Sequence, residues 1–188
     1  VASPEPSEPI CDPGDHLVAG NRVRLLRDGA AAFPQMLAAI AGAKRQILLE
    51  MYWFGSDKIG RKFAHALGEA AQRGVEVAII FDAIGSVGAS AEMFDDLERA
   101  GARVFEYNPI APWKRRFRLA ALTRRDHRKI LIVDGQQGFT GGINLADFWL
   151  PLDDGGGGWR DDMVRIEGPV VGELRACFVK VWRKLRGG

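Results

Sequence analysis

His127 and Lys129 stand two positions apart in the run His127-Arg128-Lys129-Ile130-Leu131-Ile132-Val133-Asp134, and Gly141-Gly142-Ile143-Asn144 follows. The apolar stretch Ile130 to Val133 reads as a strand entering a core. Alternation along a strand puts residues i and i+2 on one face. The imidazole and the ammonium therefore project side by side from the sheet edge. Imidazole is a nucleophile, while Lys129 and the Asn144 amide can hold oxygens that gain charge. This set suits attack on a phosphodiester, where charge develops on the non-bridging oxygens. The other histidines have bland settings. His16 lies near the start, and His65 shares a polar helix face with Lys62 and Glu69.

Positioning such groups needs a rigid scaffold, and the pattern supplies one. Residues 1–20, with Pro4, Pro6, Pro9 and Pro13, read as a flexible leader. Residues 21–188 read as one domain. Arg22 to Leu25 alternate like an edge strand, and Ile47 to Phe54 and the apolar run Val75 to Phe81 are strands. Helical spacing recurs at Phe33, Leu37 and Ile40, and at Ile59, Phe63, Leu67 and Ala70. A last helix opens at Pro169, with Val170, Leu174, Cys177, Phe178, Val181 and Leu185 inward. The alternation argues for an α/β fold, with a mixed, mostly parallel β-sheet flanked by helices on both faces. Ligands in such sheets sit beyond the carboxyl ends of strands, where Asp82 lies.

Glu50 interrupts an apolar strand and needs partners if buried. It either lines the pocket floor as a substrate-binding group or braces a neighbouring loop. Asp134 ends the motif strand. Seven residues of extended chain span ~23 Å, so Asp134 is too far to touch His127 and is expected to support the fold.

The pattern His-x-Lys-x4-Asp-x6-Gly-Gly-x-Asn, met at His127, Lys129, Asp134, Gly141, Gly142 and Asn144, resembles the phospholipase D superfamily signature. Ile47 to Trp53, Arg73-Gly74-Val75, Asp82 with Gly85-Ser86, Trp159-Arg160-Asp161 and Val164 to Pro169 look like the first half of a bacterial cardiolipin synthase. The likeness covers roughly residues 21 to 186. It implies a phospholipase D-like domain. His127 would form a phosphohistidine, a second histidine would protonate the leaving oxygen, and Asp134 would belong to the catalytic set. Asp161 would orient His127, with Asp162 as its rival. It also implies a reaction without metal or other cofactor, since histidines and lysines take the metal's place.

A net charge of +2 hides a local concentration. Lys114, Arg115, Arg116, Arg118, Arg124, Arg125, Arg128 and Lys129 gather beside the motif against Asp126 alone, which points to an anionic partner there. Arg115, Arg116 and Arg125, with Gly141 and Gly142, are the expected substrate-binding residues. Trp113 and Phe117 among the arginines suit an anionic bilayer surface. They also suit single-stranded nucleic acid. The likeness to cardiolipin synthases favours lipid.

The expected function is phospholipase D-type phosphatidyl transfer or hydrolysis on phospholipids. The alternatives are a homodimeric endonuclease of the same superfamily and a silent half-domain that binds anionic membrane. One motif histidine per chain implies a homodimer or a missing second half. No apolar run approaches ~18 residues, so none spans a bilayer, and a cytoplasmic place on the inner membrane surface is expected. The chain begins at Val1 without methionine, which fits a processed or truncated product. Cys11 and Cys177 are expected to be free thiols.

Overall fold

The computed structural model describes residues 14–111, 113 and 123–187. In chain order these form β1 (His16–Val18), β2 (Asn21–Arg27), α1 (Asp28–Gly42), β3 (Gln46–Met51), α2 (Lys58–Gln72), β4 (Glu76–Asp82) and α3 (Ala91–Arg99). Then come β5 (Arg103–Tyr107), β6 (Ile130–Val133), β7 (Gln137–Gly141), β8 (Asp162–Glu167) and α4 (Val170–Arg186). The strands make one 8-stranded sheet in the order β1-β2-β8-β7-β6-β3-β4-β5. The short strand β1 lies within the segment expected to be a leader and is exposed throughout.

The sheet is mixed, but the expectation of a mostly parallel one is corrected. Only β3–β4 and β4–β5 pair in parallel, and every other neighbour is antiparallel. The parallel part is where apolar runs read as strands covered on both faces. The antiparallel part follows from the turn after β6. There Asp134 (φ 54°) and Gly135 (φ 67°) both take positive φ, and Gln136 N–H donates to Val133 C=O at 3.0 Å. An Asp-Gly pair between apolar runs folds the chain straight back.

Helices cover both faces, as expected. On one face α1, α2 and α3 bury Phe33, Met36, Ile40, Phe63, Leu67 and Leu97 against Ile47, Leu49, Ile79 and Leu131. Full burial of each large apolar side chain contributes ~1.5–3 kcal/mol. The α2 helix starts where the Asp57 carboxylate accepts Gly60 N–H at 3.0 Å. On the other face α4 packs Phe178, Val181, Trp182 and Leu185 over Leu48, Ile80, Ile130 and Ile132. Trp182, rather than Cys177, turns inward, and the free thiol of Cys177 is exposed. Among the described residues no helix is long and apolar enough to cross a membrane.

This topology brings several chain ends to one edge. Antiparallel pairing places the start of β6, the end of β7 and the start of β8 beside the ends of β3 and β4.

Candidate active site

His127 and Lys129 precede β6 rather than lying in it, because ladder pairing starts only at Ile130. Other bonds hold this extended stretch. The buried Asp82 carboxylate accepts Ile84 N–H at 2.9 Å, Gly85 N–H at 3.1 Å and Asp126 N–H at 2.9 Å. One side chain at the end of β4 thus ties down both its own loop and the segment leading to His127.

The two motif side chains meet as their spacing implies. Lys129 Nζ lies 3.1 Å from His127 Nδ1 and donates to His127 C=O at 2.9 Å. Tyr52, just past β3, packs under both. Its ring centroid is 4.5 Å from the imidazole and 5.0 Å from the ammonium. Lys129 is only 3 % exposed, whereas His127 is exposed. Burial pushes the Lys129 pKa down to about 8, and the Asp161 and Asp126 charges oppose that shift only partly.

Asn144 arrives from the loop after β7. That loop is zipped to the one after β3: Leu145 N–H donates to Trp53 C=O at 3.0 Å and Gly55 N–H to Leu145 C=O at 2.9 Å. The Asn144 Oδ1 accepts Trp53 N–H at 3.0 Å, which turns its NH2 group toward the role of donor. Gly141 and Gly142 permit close approach. A side chain at Gly142 would collide with the Asp161 carboxylate, and one at Gly141 with the Asp162 carbonyl.

His127, Asn144, Gly142, Asp161, Tyr52 and Trp159 all line one open cleft of about 700 Å³. The sequence reading missed its aromatic wall. Trp53 lies 5.1 Å from Phe148, 5.5 Å from Trp149 and 6.3 Å from Trp159 between ring centroids. Ile84 and Val87 also line the cleft, and both are exposed. The His127 imidazole and the Asn144 amide among apolar side chains, with the Lys129 ammonium against the imidazole, can hold a phosphate joined to an apolar group.

Other expected site residues lie elsewhere. Asp134 sits at the far end of β6, where its carboxylate accepts Lys44, Arg45 and Gln46 N–H at 2.9, 2.8 and 2.9 Å. Partial burial raises its pKa, but these bonds and the Arg45 charge prevail and hold it below the ordinary range. Asp134 thus lies outside the cleft and ties the end of β6 to the start of β3. Glu50 is 1 % exposed and points to the α4 face, away from the cleft. It does not line the cleft and instead pairs with Arg128.

Arg125 packs inward too, with Nη1 3.2 Å from Asn108 C=O and 3.5 Å from Asp82 Oδ1. Arg115 and Arg116 lie outside the described residues. Asp161 lines the cleft, but its Oδ1 accepts Asp162 N–H at 2.8 Å, and no hydrogen bond joins it to His127 among the described residues. Asp162 begins β8 and does not line the cleft.

The family described as "Cardiolipin synthase, PLD-like domain" matches residues 36–150, which include His127, Lys129, Asp134 and Asn144. The chain belongs to this phospholipase D-like family. The PLD-like chain is 35 % identical over 162 residues to a probable cardiolipin synthase, YwiE, of Bacillus subtilis, covering 86 % of this chain and 32 % of that protein. It is 35 % identical over 165 residues to cardiolipin synthase A of Pseudomonas fluorescens, covering 88 % and 34 %. The PLD-like chain thus spans about a third of the length of these relatives. Its fold matches that of Nuc from Salmonella typhimurium, a phospholipase D family member, with a TM-score of 0.64 and 22 % identity over 89 % of this chain and 95 % of that one.

Proposed function

We propose that this chain carries one half of the active site of a phospholipase D-type phosphatidyltransferase, similar to cardiolipin synthase. The supporting observation is the convergence of His127 and Asn144 on one cleft lined with apolar side chains, with the Lys129 ammonium against the His127 ring. His127 attacks phosphorus, the new N–P bond forms, and the bond to the leaving alcohol oxygen breaks. Lys129 and Asn144 hold the non-bridging oxygens as charge builds. A histidine from outside this chain protonates the leaving oxygen. It then takes the proton of the incoming alcohol or water as that oxygen displaces His127. A phosphate oxygen entering the site competes with Nδ1 for the Lys129 ammonium. Asp161, on the same wall, is the carboxylate that would then take up the ring N–H.

The outside histidine belongs to a second copy about a two-fold axis or to a second motif-bearing half. The exposed Ile84, Val87, Phe148, Leu152 and Trp159 near the cleft, with exposed Trp113 beside the basic segment, favour a lipid substrate reached at an anionic membrane surface. This reading puts the domain on the cytoplasmic side of the inner membrane as a peripheral protein. The test offers phosphatidylglycerol vesicles and single-stranded DNA separately to the assembled enzyme. Cleavage of the lipid, with cardiolipin or phosphatidic acid as product, is expected. Cleavage of DNA alone would replace this reading with the endonuclease. Membrane binding without either activity would replace it with the silent half-domain.

A further inference from the structure

Behind the two motif side chains lies a cluster that the proposed chemistry does not use. Alternation sends Asp126 and Arg128 to the face opposite His127 and Lys129, where they meet Glu50 of β3. Arg128 Nε and Nη2 lie 2.9 and 3.0 Å from the two Asp126 oxygens, and Nη2 lies 2.9 Å from Glu50 Oε1. Arg128 N–H also donates to Asp126 Oδ1 at 3.2 Å. Glu50 and Asp126 are 1 % and 5 % exposed. This is an expensive place for two carboxylates and a guanidinium unless the fixed geometry is of use.

We infer that Glu50, Asp126 and Arg128 are positioning residues that hold the His127-to-Lys129 segment at its working geometry. The inference rests on the proposed roles of His127 and Lys129. The need is visible in the backbone. Ladder pairing ends at Ile130, so His127 and Lys129 lack the sheet bonds that would otherwise fix them. The planar guanidinium forks onto Asp126 and reaches Glu50, which ties the unpaired segment to β3, and β3 leads on to Tyr52. The charge arithmetic also closes. One guanidinium matches one carboxylate, so the deeper carboxyl keeps its proton. Burial first, then the neighbouring Asp126, holds the Glu50 pKa well above the carboxylate range. A protonated Glu50 can donate to Asp126 from one carboxyl oxygen while the other keeps its contact with the Arg128 guanidinium. The exposed Cys177 of α4 is a further titratable group close enough to act on Glu50 and Arg128 through its charge.

The test uses Arg128→Lys, which keeps the charge and loses the fork. Lys129 is followed by NMR titration of its side chain, and turnover is measured on the assembled enzyme. The expected result is a kcat lower by about 10- to 100-fold with KM nearly unchanged, as for a small misplacement of reacting groups. The Lys129 midpoint should also rise from about 8 toward the ordinary lysine value as the segment loosens. Glu50→Ala should act in the same direction, and Glu50→Gln should restore most of the rate.

If Arg128→Lys does not fold, Glu50→Ala carries the Lys129 midpoint and Asp126→Asn carries the kcat readout alone, because loss of the Asp126 charge itself lowers the Lys129 midpoint. A variant with lower thermal stability but an unchanged Lys129 midpoint and kcat would overturn the inference. If wild type cleaves no phosphodiester yet the midpoint moves, the functional reading fails and the positioning role stands.

Discussion

The ammonium of Lys129 lies 3.1 Å from Nδ1 of His127, yet the lysine is buried and the histidine exposed. The cation is thus kept in a low dielectric against the imidazole, while the imidazole lines the cleft and faces whatever enters. Burial strengthens the field of Lys129 on a developing phosphorane and also costs stability.

Both consequences can be measured. Burial lowers the folded-state pKa of Lys129 to about 8, so kcat/KM should fall as pH rises through that value and the cation is lost. Between that pH and the ordinary lysine value the unfolded chain holds a proton that the folded chain has released. Wild-type stability therefore rises with pH across that window. Lys129→Met should melt above wild type at about pH 7 while losing activity, and the gap should close as pH rises past 8. A melting point below wild type at neutral pH would contradict the buried-cation account.

Asp134 and Asp161 should separate cleanly. Asp134→Ala removes the acceptor of three backbone N–H groups. It should cost about 1–2 kcal/mol after allowance for solvent screening and leave kcat nearly unchanged. That cost applies above ~pH 3.9 and vanishes as pH falls through the lower folded-state value. Asp161→Asn should instead lower kcat with little loss of stability, and Asp162→Asn should do neither. Denaturant melts and steady-state kinetics on the same three variants check this. Equal kcat loss at Asp162 would move the orienting role to that residue.

The contrast between these two aspartates shows what the sequence could and could not reveal. The spacing of His127, Lys129 and Asn144 foretold their convergence, because alternation and a tight turn are local. The lack of sheet pairing at His127 was not legible, since it depends on where the neighbouring strands stop. Strand direction was half legible. Apolar runs foretold the parallel β3–β4 pair, whereas the antiparallel β2–β8 and β3–β6 pairings join segments far apart in the chain and leave no local signal. The setting of Glu50 was open to inference. It alternates with Leu48, and both face α4. The aromatic wall joins Trp53 to Phe148, Trp149 and Trp159 across long separations, which no local pattern reports.

Catalysis should not depend on a metal. Among the described residues no cluster of three His, Cys, Asp or Glu is placed to hold one, and Lys129 with Asn144 offers cationic and amide donors to the phosphate. Turnover should be unchanged after chelator treatment. Activity lost to chelator and restored by a divalent ion would contradict this mechanism.

A half-site should behave as one. Mixing His127→Ala chains with wild type should depress activity more than dilution does if two copies complete the site. Simple dilution behaviour, with full activity from a particle shown by sedimentation to be monomeric, would contradict the need for a second histidine from outside the chain.

The covalent step is the most direct test of all. The assembled enzyme is mixed with phosphatidylglycerol, quenched in alkali to preserve an N–P bond, and digested for mass spectrometry. The account expects a phosphatidyl adduct on His127, absent from His127→Ala, with turnover in that variant lower by about two to four orders of magnitude. Lipid turnover with no adduct on His127, persisting in His127→Ala above about a hundredth of the wild-type rate, would contradict it.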